Sequence, residues 1–300
     1  MLRMVIMRKF SLFLTIILIL SLLPGCSSQE ENAQIATSTL PVYEFTSTLC
    51  QGTDLTVGRL VTESVSCLHD YTLQVSQMRQ IEQADMVVIS GLGLEDFLSD
   101  ALEGKENIVD ASLGIEPICP EEDQGHEGHD HHGHSHETDP HIWLSPENAK
   151  IMAENICREL SLCYPQHAVV FSENLETLLE KLDALQNYGE ETLSVLNTRQ
   201  IITFHDGFAY FAQSFDLEIL EAIEEESRRE ASAAELIELI GMVNAHQPGV
   251  FTEVNGSASS AQIIARETGC SLYQLDMVMA GDSYFDAMYE NIRTVKEALE

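Results

Sequence analysis

From residue 38 to the end, the apolar positions switch between two periods. Short β-prone runs recur at 55–61, 84–90, 200–204, 217–223, 249–254 and 271–275, and between them apolar residues fall three and four apart. Residues 84–90, ADMVVIS, form the kind of nearly continuous apolar run seen in a strand buried on both faces. Gly91 and Gly93 then allow a tight turn into a helix over 94–102. With no third glycine and no basic residue close by, this Gly-x-Gly reads as turn geometry and not as a phosphate loop. Ser145 and Pro146 open a helix reaching about 162. Over 168–196 the residues Phe171, Leu175, Leu178, Leu179, Leu182, Leu185 and Leu193 make one apolar stripe. A helix of that extent is about 40 Å long, more than a crossover inside one lobe requires, so it reads as a strut between lobes. Beyond it, Ser232 and Glu235 form a capping box for a helix to 245, and further helices are expected over 257–268 and 283–299. The fold class is therefore α/β: two lobes with parallel sheets flanked by helices, spanning 38–165 and 198–300 and joined by one long rigid helix over 166–197.

The N-terminus changes the picture of where this fold resides. Arg3, Arg8 and Lys9 precede an apolar run over 10–23 that is short for a bilayer span, and Leu23-Pro24-Gly25-Cys26 follows. This resembles a bacterial lipobox, which makes 1–25 a lipoprotein signal peptide, Cys26 the lipidated residue and 26–37 a polar tether. An extracytoplasmic, membrane-anchored protein is expected. The formal charge of −34 excludes nucleic acid as a partner and concentrates cations near the surface. Outside the cell the six cysteines other than Cys26 permit up to three disulfides, with no pairing chosen by the sequence. No C-x-x-C spacing occurs, which argues against a tetrathiolate site.

Candidate chemistry concentrates in residues 125–146, GHEGHDHHGHSHETDPHIWLSP. His126, His129, His131, His132, His134 and His136 lie in a loop over 125–137, among Gly, Asp, Glu and Ser, a composition suited to loose, exchangeable metal binding. His141 differs: it runs directly into Ile142-Trp143-Leu144 and stands between Pro140 and Pro146, so it enters packed structure. His205 and Asp276 each follow a strand at its carboxyl end, where open α/β sheets bind ligands. His69 lies between the run at 55–61 and a helix beginning near 75. A lone histidine is more often structural than a ligand. Three imidazoles and one carboxylate together would make a closed, nearly tetrahedral site that fits Zn2+.

His69-Asp70-Tyr71, Gly91-Leu92-Gly93-Leu94-Glu95, Asp139-Pro140-His141-Ile142-Trp143-Leu144-Ser145-Pro146 and Phe204-His205-Asp206-Gly207-Phe208-Ala209-Tyr210-Phe211 occur in this order. In this the chain resembles the metal-binding lipoproteins of zinc and manganese ABC importers, the cluster A-I solute-binding proteins. The resemblance implies two lobes with metal between them, His69, His141 and His205 as ligands, Asp276 as a fourth and Glu253 as a group behind them. It also implies Zn2+ over Mn2+, because manganese-type relatives tend to place a carboxylate where this chain has His205, and a His-rich loop belongs with the zinc branch. The chain departs from the family at Ser66-Cys67-Leu68 and at Met277.

The expected role is capture of a divalent cation and delivery to an ABC permease by a monomer that is not an enzyme. A zinc hydrolase would need an open coordination position and a general base, and no H-E-x-x-H is present. A storage or adhesin protein would use the histidine tract without one tight site.

Overall fold

The computed structural model describes residues 33–63, 68, 71–119, 138–223, 231–254, 256 and 258–300. Strands β1 (Ile35–Thr37), β2 (Val57–Arg59), β3 (Met86–Ile89) and β4 (Ile108–Asp110) form a parallel sheet in the order β2-β1-β3-β4. Strands β5 (Gln200–Thr203), β6 (Glu218–Ala222), β7 (Gly249–Glu253) and β8 (Leu272–Leu275) repeat that topology as β6-β5-β7-β8. Parallel neighbours need crossovers, and helices supply them. These are α1 (Leu40–Leu49), α2 (Val75–Gln83), α3 (Ser99–Leu102), α4 (Pro146–Cys163), α5 (Ala168–Leu193), α6 (Ala209–Ser214), α7 (Ala233–His246), α8 (Ser259–Thr268) and α9 (Tyr284–Leu299). In both sheets the chain leaves its second strand and returns on the far side of the first. This puts a topological switch point between β1 and β3 and another between β5 and β7.

Local sequence explains most element ends. Ser145 accepts a hydrogen bond from the Asn148 N–H at 3.4 Å, with Pro146 in the first turn of α4. Ser232 and Glu235 form the expected capping box on α7. Two expectations do not hold. β1 falls inside the stretch read as tether, yet it is a central strand of the first sheet; three residues are too few to show a period. The helix expected over 94–102 is a 3-10 turn, Asp96–Leu98, followed by the single-turn α3. Gly91, Leu92 and Gly93 all have positive φ, and the Glu95 side chain turns back to accept from Ser90 N–H at 2.7 Å and Gly91 N–H at 3.0 Å. Those bonds satisfy the turn in place of a helical first turn.

The linking helix α5 buries Phe171, Leu178, Leu182, Leu185 and Leu193 against α1 and α4 of the first lobe and α9 of the second. One apolar cluster runs from Ile35 and Val88 through Trp143 and Leu182 to Ile201, Phe251 and Ile292, so the lobes share a core. Smaller clusters lie around Ile202 and Val250 and around Ala36 and Val87. Among the described residues, Cys50, Cys119, Cys157, Cys163 and Cys270 are free thiols, and no helix is long and apolar enough to cross a membrane.

Candidate metal centre

The second lobe contributes its site residues at the switch point. Thr203 ends β5 and His205 follows two residues later, while Glu253 is the last residue of β7, the strand hydrogen-bonded to β5. The His205 Nδ1 lies 3.0 Å from Glu253 Oε1, and both residues are buried. The first lobe contributes His141, at the start of the 3-10 turn Ile142–Leu144. Asp139 Oδ1 accepts from the His141 backbone N–H at 2.9 Å and stands 2.8 Å from His141 Nδ1. A carboxylate oxygen thus stands beside Nδ1 of each histidine, the arrangement in which metal-binding imidazoles use Nε2 as the ligand atom.

The two rings meet across the lobes, edge to face, with centroids 5.2 Å apart and planes at 85°. Gly207 makes this approach possible. A Cβ there would lie 2.7 Å from His205 Cδ2, 2.9 Å from His141 Nδ1 and 2.6 Å from Met277 Cε, so the absence of a side chain is what brings three groups together.

Asp276 follows β8 beside Met277. Its Oδ1 accepts from the Val278 N–H at 2.7 Å. Its backbone is held on both sides by Asn291 of α9, which accepts from Asp276 N–H and donates to Asp276 O, each at 2.8 Å. Partial burial raises the Asp276 pKa above the usual aspartate value; the Val278 N–H opposes that rise and the charge of Glu253 adds to it. Asp276 follows Leu275, the last residue of β8, which pairs with Glu253 at the end of β7.

The ends of the His-rich stretch are tied to this centre. Ile118 O accepts from the Asp139 N–H at 2.8 Å. The Tyr210 hydroxyl, on α6, accepts from Ile118 N–H at 2.9 Å and donates to Asp139 O at 3.0 Å. Burial pushes its pKa up to about 12, so it stays a donor. Ile118 and Asp139, on either side of residues 120–137, are therefore held together, with Asp139 two residues from His141.

The structure thus brings together His141, His205 and Glu253, and Asp276 follows the strand paired with the one that Glu253 ends. His69, the six histidines from His126 to His136 and Cys26 lie outside the described residues. Among the described residues, no three His, Cys, Asp or Glu side chains cluster closely enough to hold an ion by themselves. Sequence reasoning missed Asp139 as the partner of His141, Asn291 as the holder of Asp276, and Tyr210. The spacing of Asp139 and His141 around a proline was the one available signal. The donor set of imidazole nitrogen and carboxylate oxygen suits a borderline divalent cation.

A family model for zinc-uptake complex component A, periplasmic, matches residues 35–298. The zinc-binding lipoprotein AdcA of Streptococcus pneumoniae is 30% identical over 311 residues, covering 98% of this chain and 62% of its own length. A putative metal-binding protein of Treponema pallidum is 28% identical over 309 residues, covering 97% of both. A crystal structure of ZnuA superposes with a TM-score of 0.76 at 27% identity, over 89% of this chain and 100% of the other. This chain spans about three fifths of the length of AdcA. Two parallel sheets of identical order, a long linking helix and a match over 35–298 make this chain a member of the ZnuA family of zinc-uptake solute-binding components.

Proposed function

We propose that this protein captures Zn2+ outside the cytoplasm and hands it to an ABC permease, with His141, His205, His69 and Asp276 as ligands. The observation that carries the reading is the histidine pair: two buried imidazoles from different lobes, 5.2 Å apart, each with a carboxylate on Nδ1. With a carboxylate beside each Nδ1, Nε2 is the nitrogen that each ring would offer to the metal. Asp139 and Glu253 orient the rings, and Asp276 supplies charge that offsets the dication. The cation preference is zinc, because imidazole-rich four-ligand sites suit it, whereas manganese favours oxygen donors and higher coordination. Cys26 anchors the chain through lipid, and the six tract histidines gather metal for the centre, a role supported by the joining of Ile118 to Asp139, two residues from His141, on either side of their segment. The shared core limits the motion on release to small lobe displacements, and the protein works as a monomer without catalytic turnover.

Competition titration with a zinc chelator tests this. His141→Ala and His205→Ala should each weaken the tightest site about 100-fold or more, because a buried ligand is lost and its carboxylate partner is stranded. Deleting residues 126–136 should leave that site intact and remove only weaker ions. If the deletion abolishes the tight site while His141→Ala spares it, the tract and not the cleft is the binding centre.

A further inference from the structure

We propose that Trp143 is a positioning residue that fixes the separation between the first-lobe ligand His141 and the second-lobe ligand Asp276. The inference rests on the reading of those two residues as zinc ligands and adds what holds them in register.

Trp143 is fully buried in the 3-10 turn that follows His141. Three of its parts face three partners. The indole ring packs edge-on to the His141 ring, centroids 5.3 Å apart at 64°. The indole Nε1–H crosses between lobes and donates to Met277 O at 2.8 Å, the carbonyl one residue beyond Asp276. Its own backbone carbonyl accepts from the Tyr284 hydroxyl at 2.8 Å, and Tyr284 begins α9. One side chain therefore touches one ligand directly and the peptide next to the other.

The segment between β8 and α9 is built to receive this contact. Met277, Val278 and Met279 are buried, Leu40 N–H donates to Met279 O at 2.9 Å, and Arg59 Nη1 donates to Gly281 O at 2.8 Å. Thus a segment continuous with the second lobe is hydrogen-bonded along its length to the first. Val278 has φ of 59°, unfavourable for a β-branched residue, and in that conformation its N–H reaches Asp276 Oδ1. Such a conformation persists only where the surroundings over-determine it. A buried indole N–H also needs an acceptor, and Met277 O provides one at this lobe spacing. An apolar ring at 143 would fill much of the same space but leave the Asp276 segment without its tie to His141.

The test is a double-mutant cycle on the full-length protein, with zinc dissociation constants measured by chelator competition for wild type, Trp143→Phe, Asp276→Ala and the double variant. Trp143→Phe should weaken zinc about five- to ten-fold, the scale of one buried hydrogen bond. The same change should cost less than about two-fold once Asp276 is absent. An equal factor in both backgrounds, or no loss in the single variant, overturns the proposal. Should Asp276→Ala itself leave zinc binding unchanged, the ligand reading is what fails. Tyr284→Phe removes the hydroxyl that holds the Trp143 carbonyl and leaves every proposed ligand side chain in place. If Trp143→Phe does not melt cooperatively, Tyr284→Phe should show a smaller loss, about two- to three-fold, which also disappears without Asp276; a loss that persists there overturns the proposal. Trp143 is the only tryptophan in the chain, so its emission should change on adding zinc to wild type and change less in Asp276→Ala.

Discussion

At the scale of single residues, the groups that orient the imidazoles are as informative as the imidazoles. Glu253 is buried with one carboxylate oxygen 3.0 Å from His205 Nδ1. Glu253→Ala should weaken zinc about 10- to 100-fold, while Glu253→Gln, which keeps an acceptor oxygen, should lose less; chelator competition reads both. Equal losses would mean that charge and not orientation is what Glu253 supplies. His141 and His205 were legible in the sequence because each sits in a motif beside a turn-forming residue. Asn291 was not. It lies within the amphipathic repeat of α9, and nothing in the sequence marks a polar residue there as the holder of a backbone fifteen positions away.

At the scale of elements, the linking helix was the most legible, because an apolar stripe over many turns has no other explanation. What the stripe did not reveal is Gly189, buried on α5 with the Phe215 ring against it. A Cβ there would stand 2.1 Å from Phe215 Cε1. Two effects oppose each other in Gly189→Ala. Helix propensity gains about 0.5–1 kcal/mol, whereas forcing a methyl into a filled core costs about 1–3 kcal/mol. Steric cost wins, so thermal or urea denaturation should show a net loss, contrary to the usual rule for a helical glycine. The misread helix over 94–102 has a similar lesson. Its apolar spacing was helical, but consecutive positive φ angles and a returning side chain decided the conformation locally.

At the scale of the whole molecule, two lobes and parallel sheets could be read from alternating periods, but the ties between lobes could not, because their hydrogen bonds join residues from 71 to 240 positions apart. The first lobe also holds a buried acid, Glu95, that is not among the proposed ligands. Glu95 accepts from Ser38 Oγ at 2.6 Å as well as from the Ser90 and Gly91 amides, and burial outweighs those bonds to push its pKa up to about 7. The neighbouring Asp110 adds to the rise. A folded pKa above the unfolded value near 4.5 means the native state holds its proton longer. The associated stability is present below pH 4.5 and is lost as pH climbs through about 7. Denaturant melts of the wild type should therefore lose more stability than Glu95→Gln between those limits, by roughly 3 kcal/mol at most. Parallel slopes for the two proteins would place the Glu95 pKa near its ordinary value.

Glu44 gives a last consequence. It belongs to α1 in the first lobe, yet its carboxylate accepts from the Tyr284 amide and stands 3.5 Å from Ser283 Oγ at the beginning of α9, the final helix of the second. Beside its local Ser283 cap, that helix thus takes a second capping group from some two hundred and forty residues upstream. The halves of the polypeptide are not independent here: cut within the connecting helix, the downstream piece would keep Ser283 but lack the anion beside the first turn of its own terminal helix. Recombination, permutation or transplantation of one half without the other has to carry this debt along.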